Sequence, residues 1–209
     1  MTGSAGGPQP AALGHAPNVQ NGPMQVAAVI LAAGASTRFG SPKQLARFGA
    51  GTMLEAVVAT AREARLSPII LVLPPTIAAP PDAVPVVNAR PEEGLSRSLR
   101  LGIEAVPAEV NAALVLLGDQ PTVSLETIRF IVAAARGDRP IVAAVSATGQ
   151  TAPPVLLMRE AFGIVADATG DEGLRPILRE RRDAVTTVEV GEHSPDVDTP
   201  ADLAKLRRR

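Results

Sequence analysis

VILAAGASTRFGSPKQL, residues 29–45, begins as an unbroken apolar run, stops at Gly34, and then delivers Arg38 and Lys43 from a loop of small residues. An apolar run of this length ending in glycine is the form of a strand buried on both faces. Gly34 and Gly40 can take backbone conformations closed to other residues and let N–H groups approach a ligand closely. Arg38 offers a planar fork suited to phosphate oxygens, and Lys43 a compact, mobile charge. The spacing is not that of a Walker loop, because five residues separate Gly34 from Gly40 and Lys43 comes three later. GxGxxG is also missing. The loop therefore reads either as a phosphate cradle of another kind or as a strand-to-helix turn carrying two solvated cations.

Beyond this stretch, strands and helices alternate. Apolar runs at residues 26–33, 69–73, 84–87, 112–117, 140–145, 155–158 and 185–190 read as strands. Helical spacing marks residues 53–65, 95–106, 125–135, 160–167, 173–182 and 199–207. Such alternation predicts an α/β fold with a mostly parallel sheet covered on both faces. Ligands of such sheets sit outside the carboxyl ends of the strands, so the strand ends are where chemistry is expected.

Composition sets the bounds. The chain has 209 residues, 46% hydrophobic and 20% charged, with a formal net charge of −1. That suits one domain and argues against a nucleic-acid surface, which would bring a basic excess. There are no cysteines and only two histidines, His15 and His193, so thiolate chemistry is excluded and a histidine metal cage disfavoured. Aromatic residues make up 2%, too few for base-stacking platforms. No apolar run approaches the roughly 20 residues that span a bilayer. The expectation is a soluble, cytoplasmic protein without membrane or nucleic-acid partners. Residues 1–23, rich in Gly, Pro, Ala, Gln and Asn, read as a flexible tail, and residues 24–209 as the domain.

Two further strand ends and two later segments carry polar residues. LLGDQP places Asp119 just past a buried strand, where a carboxylate needs a cation or hydrogen bonds. Mg²⁺ bound through one or two carboxylates and substrate phosphates would serve; so would a turn or helix cap. Asn88 ends another strand and is followed by EEGLSRSLRLGI, in which Ser96 is the expected helix N-cap and Ser98 could hold a ribose or base. PDVDTPADL carries Asp196 and Asp198 ahead of Thr199, a helix cap, and Asp198 reads as a metal ligand or as part of that cap. TGDEGLR reads as a turn with an N-cap, with Asp171 able to face the site.

Taken in order, LAAGASTRFGSPKQL, NARPEEGLSRSLRLGI, LVLLGDQPTVS, PVLLMREAF, GDEGLRPIL and VDTPADL resemble the motifs of the molybdopterin nucleotidyltransferases, from residue 24 onward. The resemblance is nearest to the molybdenum cofactor cytidylyltransferase branch, since Ala33 stands where guanylyltransferase relatives have glycine. It implies a three-layer α/β/α fold with a Rossmann-like sheet of the nucleotide-diphospho-sugar transferase type. The activity it implies is Mg²⁺-dependent transfer of CMP from CTP to a phosphorylated acceptor, with release of pyrophosphate. Molybdopterin would be that acceptor, and a molybdoenzyme the partner receiving the cofactor. Carried onto this chain, Leu31, Ala32, Ala33, Gly34, Arg38 and Lys43 would hold the nucleotide, with Asn88, Leu95, Ser96 and Ser98 lining its pocket. Arg38, Lys43 and Asp119 would be catalytic, and Asp119 and Asp198 would hold Mg²⁺. The chain departs from that pattern at Phe39, where the family has methionine, and at Ala152, where relatives carry Gly-His before Pro-Val. LARFGAGTM also replaces a longer segment ahead of the helix. A transferase using GTP or another acceptor, and a non-catalytic cofactor carrier or insertion chaperone, are the alternatives.

Overall fold

The computed structural model describes residues 24–34, 36–135, 139–146, 149–190 and 194–208. The tail expected at residues 1–23, with His15, and also His193, lie outside the described residues. The first strand, β1 (Val26–Leu31), is buried along its whole length. A two-residue hairpin, β2 (Arg47–Phe48) and β3 (Gly51–Thr52), then leads into α1 (Met53–Glu63). The chain continues through β4 (Ile69–Leu73), β5 (Val84–Val87), α2 (Leu95–Glu104), β6 (Ala112–Leu117) and α3 (Leu125–Ala134). It closes with β7 (Ile141–Val145), β8 (Thr151–Met158), α4 (Arg175–Glu180), β9 (Val185–Glu189) and α5 (Pro200–Leu206).

The seven-stranded sheet has the order β5-β4-β1-β6-β8-β7-β9. β1 pairs in parallel with β4 on one side and with β6 on the other. Only β8 runs against its neighbours, antiparallel to both β6 and β7. The expected short strand at residues 155–158 is thus the last half of an eight-residue strand. Of the expected helices, residues 160–167 form a 3₁₀ segment, Arg159–Asp167, and residues 173–182 shorten to α4.

Alternation along the strands feeds two apolar layers. Ala28 and Ile30 of β1 face Leu54, Val57 and Val58 of α1 and Ile128 and Ile131 of α3. Ala27, Val29 and Leu31 face Leu99 and Ile103 of α2. Each fully buried Leu or Ile in these layers contributes about 1.5–3 kcal/mol. A third cluster joins Met53 to Val197, Leu203 and Leu206, with Phe39 and Phe48 packed against it, so Phe39 serves packing as its apolar character suggests.

Helix starts follow side-chain caps where these are local. Thr52 and Glu55 make a capping box for α1, Ser124 caps α3, and Thr199 with Asp202 boxes α5. α2 departs from this and corrects the expectation for Ser96. Its N-cap is Gly94, with φ of +88°, and Ser96 lies inside the helix, buried. The helix end is closed from a distant loop: Leu95 N–H donates to Asp171 Oδ1 (3.3 Å) and Ser96 N–H to Gly170 O (3.0 Å). Asp171 therefore caps α2 and not α4, which begins after Leu174 without a side-chain cap.

Candidate active site

Because the chain leaves β1 for β4 and β5 on one side and then crosses to β6 on the other, the loops after β1 and β6 diverge at the sheet's switch point. They start in contact: a Cβ on Gly118 would lie 2.7 Å from Ala32 Cβ, so the β6 end can pass this close only as glycine. The result is a cleft of about 500 Å³ lined by both loops, by α2 and by the β8 start.

The loop after β1 is held by two side chains that are not among the expected site residues. Gln44 is buried, and its amide donates to Ala32 O (2.7 Å) and Gly34 O (3.1 Å). Ser36, with φ of +54°, accepts from Lys43 N–H (3.2 Å), and its own hydroxyl lies 3.3 Å from both Gly34 O and Gln44 Oε1. Both sit within the quoted motif, where a polar residue directly after the lysine was the available signal. Gly40 takes the left-handed conformation expected of it, with φ of +79°; Gly34 does not, and instead leaves open space around its Cα.

Lys43 projects from this loop onto the two aspartates. Its Nζ donates to Asp119 Oδ2 at 2.6 Å and to Asp198 Oδ1 at 3.0 Å. Arg38 takes the other Asp198 oxygen at 2.8 Å, from a more exposed position. Asp119 is the N-cap of none of the described helices, and Asp198 meets the α5 cap through its backbone while its carboxylate faces Lys43 and Arg38. Burial pushes the Asp119 carboxyl above its ordinary range, against the pull of the Lys43 ammonium. Burial works equally to discharge Lys43, but the two carboxylates outweigh it and hold the ammonium above its ordinary range.

The two aspartate loops are tied together independently of Lys43. Val197 N–H donates to Asp119 O (3.1 Å), Gln120 Nε2 to Asp196 Oδ1 (2.8 Å), and Thr122 N–H to Ser194 Oγ (3.2 Å). Among the described residues, no group of three or more His, Cys, Asp or Glu could hold a metal ion. Two adjacent carboxylates beside an open cleft, one desolvated and seeking a cation, suit an ion that takes its remaining ligands from phosphates and water.

The cleft also gathers Leu31, Ala32, Ala33, Gly34, Leu95 and Ser98, whereas Asn88 and Ser96 do not line it. Asn88 is wholly buried and works from behind. Its Oδ1 accepts from Arg90 N–H (3.0 Å) and Arg97 Nε (3.1 Å), which turns its Nδ2 to donate to Ser98 Oγ (3.0 Å). The Ser98 hydroxyl is thereby an acceptor from Asn88, and its proton has no partner among the described residues. Ala152, Pro153, Glu172 and Arg175 complete the far wall.

Residues 28–185 match the family described as MobA-like NTP transferase domain. The chain is 34% identical over 133 residues to 2-C-methyl-D-erythritol 4-phosphate cytidylyltransferase of Streptomyces coelicolor, a match covering 57% of this chain and 49% of that protein. It thus spans about half the length of that relative. Purine catabolism protein PucB of Bacillus subtilis is 29% identical over 198 residues, 86% of this chain and 95% of PucB. The crystal structure of Rv0371c from Mycobacterium tuberculosis superposes with a TM-score of 0.79 at 30% identity, covering 89% of this chain and 99% of that one. Rv0371c has also been solved in complex with manganese, and that structure is 29% identical to this chain with a TM-score of 0.74.

Proposed function

The chain belongs to the MobA-like NTP transferase family, and on that premise we propose that it is a Mg²⁺-dependent cytidylyltransferase acting on a phosphorylated acceptor, molybdopterin being the favoured one. The observation that carries this reading is the junction of Lys43, on the Gly34 loop, with Asp119 and Asp198 in the cleft that this loop lines.

In the reaction, an acceptor phosphate oxygen forms a bond to the α-phosphorus of the nucleotide while the bond from that phosphorus to the bridging oxygen of pyrophosphate breaks. No covalent enzyme intermediate is needed, and a phosphate nucleophile has no proton to surrender, so the lack of a cysteine or described histidine is no obstacle. Rate enhancement comes from positioning and charge. Lys43 and Arg38 neutralise the departing pyrophosphate, and the open approach at Gly34 brings backbone N–H groups to the phosphates. Asp119 and Asp198 would hold the metal, which when bound polarises phosphate oxygens and screens their repulsion.

Ser98, buried on the cleft wall with its proton unspent among the described residues, is placed to donate to an acceptor on the nucleotide. Acceptors are present on every base, so the choice of CTP rests on the resemblance to cytidylyltransferases. The name of the Streptomyces relative, a cytidylyltransferase, agrees with this choice. Ala152 on the cleft wall, where many cytidylyltransferase relatives carry Gly-His before Pro-Val, favours a second reading: the same cytidylyl transfer to a different phosphomonoester.

The test is pyrophosphate release with each of the four NTPs, with and without molybdopterin. Release with CTP that needs molybdopterin supports the first reading. Release with CTP on another phosphomonoester alone supports the second, and no release with any NTP rejects both in favour of a carrier.

A further inference from the structure

The proposed reading gives Lys43 to the phosphates and the two aspartates to a metal, yet in the structure Lys43 is paired with both aspartates. We infer that Lys43 is an exchangeable counter-ion which occupies Asp119 and Asp198 until a polyphosphate draws it off. Metal and nucleotide therefore enter together and not metal first. This inference rests on the proposed function.

The geometry supports an exchange and not a permanent salt bridge. One ammonium takes an oxygen of each carboxylate, at 2.6 and 3.0 Å, and the second oxygen of Asp198 is taken by Arg38 at 2.8 Å. A divalent ion arriving alone and held by both carboxylates must displace the ammonium that sits between them. It would leave Lys43, whose side chain is only 12% exposed, without a counter-charge. A metal-polyphosphate complex supplies the replacement charge in the same event. By linkage, metal and nucleotide then raise each other's affinity.

The carboxylates do not depend on Lys43 for their place. The ties of Val197 to Asp119, of Gln120 to Asp196 and of Thr122 to Ser194 span the two loops, and the Thr199–Asp202 box anchors the residue after Asp198. Lys43 itself is fixed at its backbone, by Ser36 Oγ on its N–H, while four methylenes leave the ammonium free to turn. A neutral side chain at position 43 should thus leave the two aspartates together and open to a cation.

The probe is Mn²⁺ alone, titrated against the full chain without nucleotide and followed by electron paramagnetic resonance. Lys43→Met and Lys43→Gln should bind Mn²⁺ about tenfold more tightly than the unchanged protein. Lys43→Arg, which keeps the charge, should bind it as weakly as the unchanged protein. The same neutral variants should bind CTP more weakly, an effect of opposite sign that general loosening of the site would not produce. Neutral variants that bind Mn²⁺ no better, or Lys43→Arg binding as tightly as Lys43→Met, would overturn the inference.

Should the neutral variants not fold, ¹⁵N-lysine labelling of the unchanged protein decides. The hydrogen-bonded Lys43 ammonium signal should persist in Mg²⁺ alone and shift only when a non-hydrolysable CTP analogue is added. Its loss in Mg²⁺ alone would sink the idea. Failure of the unchanged protein to bind CTP with Mn²⁺ would instead remove the functional reading beneath it, so the two failures are distinguishable.

Discussion

At Asp119 burial and charge pairing pull in opposite directions. Its carboxyl is raised by burial, so the folded state favours the protonated form; this contribution to stability is present below the ordinary aspartate pKa and is lost as pH rises through the elevated folded value. At neutral pH the ionised group is held by the Lys43 ammonium. Asp119→Asn takes one counter-charge from the largely buried Lys43 and leaves it Asp198, so it is expected to lower the melting temperature modestly while lowering transfer on the order of 10²–10³-fold, read by calorimetry beside pyrophosphate release. The same shift predicts that kcat/KM falls on the acid side at a higher pH than an ordinary aspartate would give, because the working form is the carboxylate. A pH–rate profile checks this. Gln44→Leu orphans the Ala32 and Gly34 carbonyls and should cost about 1–3 kcal/mol in a urea melt, together with a raised KM for nucleotide.

Among the elements, those whose burial is read on one strand were visible in the sequence: β1, β4 and β6 appear as apolar runs because both faces of each are covered. β8 was visible only in part. Its reversal depends on pairing with β6 and β7, and its first residues are half-exposed, so no run announced them. The start of α2 was invisible for a related reason, since its capping partners lie 76 residues away in the 170–171 loop. Gly94 marks the junction. A Cβ there would meet the Gly170 backbone at 2.6 Å, and the residue already sits at φ of +88°. Gly94→Ala should cost about 1–3 kcal/mol in a denaturant melt and weaken nucleotide binding by moving α2 and Ser98. At the other end of the chain, Asp202 is partly exposed, and its hydrogen bonds from Thr199 hold its carboxyl below the ordinary range. That capping contribution is present above the ordinary aspartate pKa and is lost as pH falls through the lower folded value. Thr199→Ala should blunt the acid dependence of α5 unfolding as followed by amide hydrogen exchange.

For the molecule as a whole, the sequence marked Arg38, Lys43, Asp119 and Asp198 by residue type and by position at strand ends, but not their pairing. Lys43 meets Asp119 across 76 residues and Asp198 across 155, a juxtaposition that only the closed sheet and the α5 return create. The switch-point geometry brings them together because β1 and β6 are neighbours in register, Leu31 beside Leu117. The direct measurement is transfer of label from α-phosphate-labelled CTP to a phosphorylated acceptor, run in parallel with the unchanged protein, Asp119→Asn and Lys43→Met. Label should reach the acceptor with the unchanged protein and be nearly lost in both variants, each of them folded. Full transfer by both variants would show that this cluster is not where the chemistry occurs.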